Sequence, residues 1–147
     1  GKWCMKLNTR DFGEIEIDEK EIITFASPVF GFEAYHKFVF LYHEEISEHF
    51  IWLQSVEEPG LCFILVDPHL VMEHYEPKLP EEAERLLGDG EYMCWLMASV
   101  REPFEESTVN LKSPVVVNIK GHLAAQFVLQ EEFPIRYPLF RKEEEEC

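Results

Sequence analysis

FIWLQSVEEPGLCFILVDP, residues 50–68, is the stretch whose reading decides the fold. Two apolar runs, 50–53 and 61–66, flank a polar turn of Ser55, Val56, Glu57, Glu58, Pro59 and Gly60. Aromatic and β-branched side chains suit a pleated surface, and short runs bounded by Pro and Gly read as strands. The spacing predicts a β-hairpin with a long, acidic turn. Because the second run is apolar at nearly every position, it is expected to be buried on both faces, as at a sheet centre or in a closed barrel. Asp67-Pro68 ends it, since proline has no N–H to give a ladder.

Upstream, residues 5–9 and 13–17 alternate polar and apolar about Arg10, Asp11 and Phe12, an opening hairpin. Residues 21–25 and the aromatic KFVFLYH of 37–43 are further strands, joined by a loop that carries Phe30 and Phe32. The polar residues 44–49 form a surface loop. Downstream, residues 69–75 suit one or two helical turns, and 80–87 give the best helix in the chain. There, Pro80 suits the first helical position, Glu81, Glu82 and Glu84 lie near the positive dipole end, and Gly88 is a stop. Its apolar stripe is limited to Ala83, Leu86 and Leu87, so it is expected on the surface of a β body. Residues 91–100 read as another fully buried strand, and Glu102-Pro103-Phe104-Glu105-Glu106 as an acidic turn. Strands follow at 107–111, 114–119 and 123–129, the last turned back by Lys120-Gly121-His122, and 133–140 is extended. About nine short, closely spaced strands signal a sandwich or barrel. The fold class is therefore mainly β: a small barrel-like antiparallel body with one or two short surface helices.

At 147 residues the chain reads as one domain, and its 46% hydrophobic and 14% aromatic content rules out global disorder. No run approaches the ~20 apolar residues that cross a bilayer, and the start carries no signal-peptide core. Met5 reads as the native start with residues 1–4 added before it, 5–140 as a single β domain and 141–147 as an acidic tail. Cys4, Cys62, Cys94 and Cys147 show neither a CxxC nor a metal spacing. Free thiols without a targeting segment point to a reducing compartment, the cytoplasm. Thirteen basic against 29 acidic residues give a formal charge of −16. A phosphate backbone is repelled by such a surface, so direct nucleic-acid binding is excluded. The field instead draws in a basic protein, although the same acidity also serves solubility.

Catalytic chemistry finds little support. His69 and His74 are five apart, a poor fit to one helical face that would hold zinc with Glu73. There is no HExxH, no GxSxG elbow and no phosphate-cradling loop. Asp67 beside His69 is ordinary strand-end turn chemistry rather than an acid–base pair. The glutamate pairs at 57–58, 81–82 and 105–106 fall in turns or at a helix start, where solvation explains them. No catalytic residue, cofactor or metal is expected. Phe30, Phe32 and Phe104 stand in loops beside carboxylates, either as interface anchors with an acidic rim or as lids folded back on the core.

Several segments, in order, resemble a known family. They are Pro28-Val29-Phe30-Gly31-Phe32-Glu33, Leu53-Gln54-Ser55, Asp67-Pro68, Tyr75, Glu102-Pro103-Phe104, Thr108-Val109-Asn110-Leu111 and Ser113-Pro114-Val115-Val116-Val117-Asn118. Together they resemble the flagellar assembly factor FliW family over residues 5–139. The chain departs from the family at Val29-Phe30, where a proline commonly precedes the Gly-Phe pair. The resemblance implies a small, mostly β, barrel-like cytoplasmic protein without catalysis. It implies binding of flagellin before export, and binding of the carbon storage regulator CsrA, a basic RNA-binding protein that represses flagellin translation. Once flagellin is secreted, the freed factor captures CsrA and lifts that repression. Candidate partner contacts are Gln54, Glu57, Glu58, Asp67, Pro103, Phe104, Asn110 and Asn118. Gln54, Asn110 and Asn118 match polar family positions, and such side chains near strand ends also satisfy loop backbone. The alternative is a small β-barrel ligand-binding protein or hydrolase with an internal pocket. Strands crowded with Phe, Trp, Leu and Met predict a filled interior instead.

Overall fold

The hairpin expected at 50–68 forms as β5 (Phe50–Ser55) and β6 (Cys62–Val66), paired antiparallel from Gln54↔Cys62 to Phe50↔Val66. The computed structural model that contains it describes residues 4–46 and 48–140; residues 1–3 and the acidic tail expected at 141–147 lie outside the described residues. Around this pair run β3 (Ile23–Ser27), β4 (Lys37–Leu41), β7 (Tyr92–Ser99), β9 (Val115–Asn118) and β10 (Leu123–Gln126). They follow the order β7-β6-β5-β4-β3-β10-β9, and β9 pairs again with β7, closing a barrel. The opening hairpin is β1 (Cys4–Asn8) with β2 (Glu14–Asp18), a separate two-stranded sheet. Two short strands, β8 (Thr108–Val109) and β11 (Tyr137–Pro138), extend the far end of β7. The described residues form eleven strands against the roughly nine expected, and the two-residue β8 and β11 are what remains of the stretches read as a strand at 107–111 and as extended at 133–140.

The barrel is antiparallel except at one seam. β10 runs parallel to β3, with a bulge at Ala124/Ala125. No hairpin turn joins these strands, so nothing local imposes the antiparallel sense.

Alternation along each strand explains the apolar crowding. One set of residues points inward and fills the interior: Phe25, Phe38, Leu53, Leu65, Trp95 and Val117 pack as one buried cluster. The intervening set points outward and is covered in turn. Hairpin β1–β2 covers Val39 with Leu7 and Ile17, and Phe12 of its turn meets Trp52 edge-on at 5.6 Å. Helix α2 (Glu82–Leu87) lays Ala83 and Leu87 on Val116 and Ala125. Helix α1 (Pro68–Val71), Tyr75 and the β8–β11 region cover Val66 and Leu96. Both faces of most strands are therefore dry, and an apolar run needs no polar alternation.

Two local expectations are corrected. Pro80 is not the first helical residue: Glu81 is the N-cap of α2 and the Pro80 carbonyl accepts from the Ala83 N–H at 3.0 Å, so the proline belongs to the preceding turn. β7 is not buried throughout. Trp95 and Leu96 are buried, but Met93 is 43% exposed and Ala98 and Ser99 leave the barrel to pair with β8. Gly88 does end α2, at φ 80, a left-handed conformation that suits glycine. Among the described residues no helix is long and apolar enough to cross a membrane.

Candidate partner-binding surface

One end of the barrel gathers the β3–β4 loop and the β5–β6 turn into a rim. The loop is tied down at both ends. Val29 is buried, and the Phe30 N–H donates to Gln126 Oε1 at 2.9 Å, a partner 96 residues away in the chain. Gln126 Nε2 in turn donates to the Ser113 carbonyl at 3.1 Å. At the other end, the His36 and Lys37 N–H groups both donate to Glu57 Oε1, at 2.6 and 2.9 Å. Those two bonds, the Lys37 one foremost, hold the Glu57 carboxyl below its usual range despite some opposing desolvation. Ser55 Oγ completes the turn by accepting from Glu57 N–H and Glu58 N–H at 3.1 and 2.9 Å.

On this frame Phe30 is 47% and Phe32 37% exposed, and Phe32 rests edge-on against Phe63 at 5.0 Å. Phe30 is a surface group, and Phe32 exposes one side while the other covers Phe63, which packs on the barrel cluster. Glu33 lies on the same loop and Glu58 on the β5–β6 turn, each spending one carboxylate oxygen on a local N–H: Gly31 at 3.2 Å and Gly60 at 3.4 Å.

The other sequence-derived positions divide by burial. Gln54 has 0% exposure and ties three backbones together: Oε1 accepts from Arg10 N–H, and Nε2 donates to the Ser55 and Pro59 carbonyls, all at 3.0 Å. Asn118, 3% exposed, donates to the Leu87 and Asp89 carbonyls at 2.7 and 3.2 Å and accepts from Gly121 N–H at 3.2 Å. A Cβ at Gly121 would sit 3.3 Å from the Asn118 amide, so any side chain there would have to push that amide aside by a few tenths of an ångström. Gln54 and Asn118 are structural ties with no surface for a partner, which corrects their assignment as direct contacts. Asn110 Oδ1 accepts from Lys112 N–H and Ser113 N–H, at 2.9 and 3.0 Å, another backbone tie. Asp67 lies at the opposite end of β6 from Glu57 and Glu58, about 16 Å along a five-residue strand. It caps α1, with Oδ1 accepting from His69 N–H at 3.0 Å, and meets the His69 and His49 imidazoles at 3.1 and 3.4 Å. Burial alone would raise its pKa; the hydrogen bonds outweigh that and hold it low. Phe104 is 49% exposed and packs against Phe140 at 5.0 Å, beside Pro103.

Gln126, Ser55 and Ser107 were missed as structural determinants. Each is buried and bonded to loop backbone, Ser107 Oγ accepting from Arg101 N–H at 2.9 Å. A signal existed for Gln126: one amide in the otherwise apolar LAAQFVL must find partners once buried.

This arrangement can be set against known proteins. The model of the FliW protein family matches residues 6–139. The chain belongs to the FliW family. It is 37% identical to a flagellar assembly factor FliW of Clostridium tetani, over 95% of this chain and 98% of the relative. It is 34% identical to one of Lachnospira eligens, over 95% and 99%. A crystal structure of the flagellar assembly factor FliW superposes with TM-score 0.88 at 31% identity, covering 95% of this chain and all of that one. For this FliW chain, the features outside the rim are chemically plain. Burial pushes the Cys62 and Cys94 thiols up to about 11, leaving them protonated and inert at neutral pH. A groove of about 950 Å³ lies outside the barrel, between α2 and residues 128–131. Lys78, Arg85, Glu81 and Glu131 line it with both signs of charge, and it does not reach the barrel interior.

Proposed function

We propose that this chain is a non-enzymatic flagellar assembly factor that binds flagellin as a chaperone and binds the translational regulator CsrA, relieving repression of flagellin synthesis. The observation that carries this reading is a formal charge of −16 on a FliW-family barrel. Such a body attracts a basic protein and repels RNA, so relief of repression acts on CsrA and not on its message. The partners are flagellin and CsrA, with no direct nucleic acid and no membrane, and the setting is the cytoplasm. Residues 5–140 act as the working domain. Glu58, Asp67 and the segment from Pro103 to Asn110 supply contacts, and Glu57 holds the β3–β4 loop in place beside them. Flagellin and CsrA exclude one another by overlap or through coupled conformations.

The test uses the full chain against purified flagellin, purified CsrA and a CsrA-target RNA. Binding of both proteins, and of the RNA not at all, is expected. CsrA affinity should fall as salt rises. If neither protein bound while a small molecule raised the melting temperature, the ligand-binding barrel reading would replace this one.

A further inference from the structure

The two exposed phenylalanines sit on a loop that is fixed before any partner arrives. Three long-range hydrogen bonds hold it: Gln126 on the Phe30 N–H, and Glu57 on the His36 and Lys37 N–H groups. Exposed aromatics fixed in place lose little freedom on binding, which is how a small patch comes to dominate an interface. On the same rim the carboxylates of Glu33 and Glu58 are exposed, and its one lysine is Lys37 at the start of β4. Arg10, beneath the rim, is already occupied: its Nε and one terminal nitrogen donate to Asp11, at 3.0 and 2.7 Å, and the other to the Cys62 carbonyl at 2.7 Å.

We infer that the rim formed by residues 28–36 and the β5–β6 turn docks a basic segment of a partner protein, the apolar part of that segment lying on Phe30 and Phe32 and its lysine or arginine meeting Glu33 and Glu58. Glu57 and Gln126 are positioning residues that act through the loop and do not touch the partner. This assignment rests on the function proposed above and goes beyond it, in choosing the face and in giving that face to the basic one of the two partners. Charge complementarity is the reason for the choice. The 29 acidic residues of the chain leave an incoming segment little positive surface to avoid, while a nucleic-acid strand offers the same aromatics only a repelled backbone.

The experiment is calorimetric titration of purified CsrA into the full chain and its variants. Phe30→Ala with Phe32→Ala should weaken binding at least tenfold while the chain stays folded, with only a modest drop in melting temperature from the lost Phe32–Phe63 contact. Ile135→Ala, an exposed apolar residue away from both acidic segments, should stay within threefold. Glu33→Gln with Glu58→Gln should weaken binding and flatten its dependence on salt. Gln126→Leu should lower affinity and speed hydrogen exchange at the Phe30 amide in particular; should that variant not fold, Glu57→Ala gives the same reading at the His36 and Lys37 amides. Undiminished binding by the Phe30/Phe32 variant would overturn the rim while leaving the proposed function standing, as would loss of flagellin binding alone. Failure of the unmodified chain to bind CsrA would overturn both.

Discussion

The 28–36 loop and the 102–106 segment both set an exposed phenylalanine among glutamates, yet the molecule holds them by different means. The loop is bonded to side chains of β10 and of the β5–β6 turn, so its shape is fixed by distant parts of the chain. The segment is held mostly by its own turn, Glu106 N–H to the Pro103 carbonyl and Ser107 N–H to that of Phe104, both at 3.0 Å. Its long-range tie comes at the edge, where the Ser107 carbonyl accepts from Leu139 N–H at 2.9 Å. Equal composition therefore does not make equal surfaces. What separates them is whether a buried amide or a carboxylate reaches across to the backbone.

The largest effect should come from cutting those reaches. Gln126→Leu and Gln54→Leu each leave buried backbone groups without partners, and about 2–3 kcal/mol of stability should be lost in urea unfolding. Phe104→Ala removes a half-exposed ring and should cost about 1 kcal/mol. Equal losses would erase the contrast. Hydrogen exchange reads the same difference without mutation: the Phe30, His36 and Lys37 amides should exchange at least about tenfold more slowly than the Glu105 amide. Acid loosens the rim selectively. Because Glu57 is bonded as the carboxylate, its folded pKa lies below the ordinary 4.5, and the tie is present above that value and lost as pH falls through the lowered one. Amide shifts of His36 and Lys37 should titrate with a midpoint under 4.5, and a midpoint at or above it contradicts the bond. The smallest effect is in thiol labelling. Cys62, whose carbonyl Arg10 grips under the rim, should label at least about tenfold more slowly than exposed Cys4 at pH 8, and Gln54→Leu should narrow that gap.

How far the sequence led can be judged from particular residues. The 50–68 hairpin, the opening hairpin and the Gly88 stop are local features, written in turn residues and apolar runs, and they were legible. The β3–β10 seam and the β9–β7 closure were not, because pairing between distant strands leaves no mark on either one. Gln54 and Asn118 stand out in the sequence with two readings, partner contact or loop-backbone tie, and their burial and hydrogen bonds match the second. A buried amide at a strand end looks like an exposed one until its depth is known. Glu57 and Glu58 were read as one acidic pair; only the coordinates separate a carboxylate spent on two N–H groups from its neighbour, engaged with one.

The parallel seam also sets a schedule. Thr24 pairs with Leu123, so the third strand waits for a neighbour about a hundred residues further along the message. At translation rates of roughly 5–20 residues per second, that wait is about 5–20 seconds. A nascent chain stalled before Leu123 holds an open sheet, with β3 joined to β4 and its other flank bare. The ring closes only as the last strands leave the ribosome, and until then an unpaired edge is available to whatever passes.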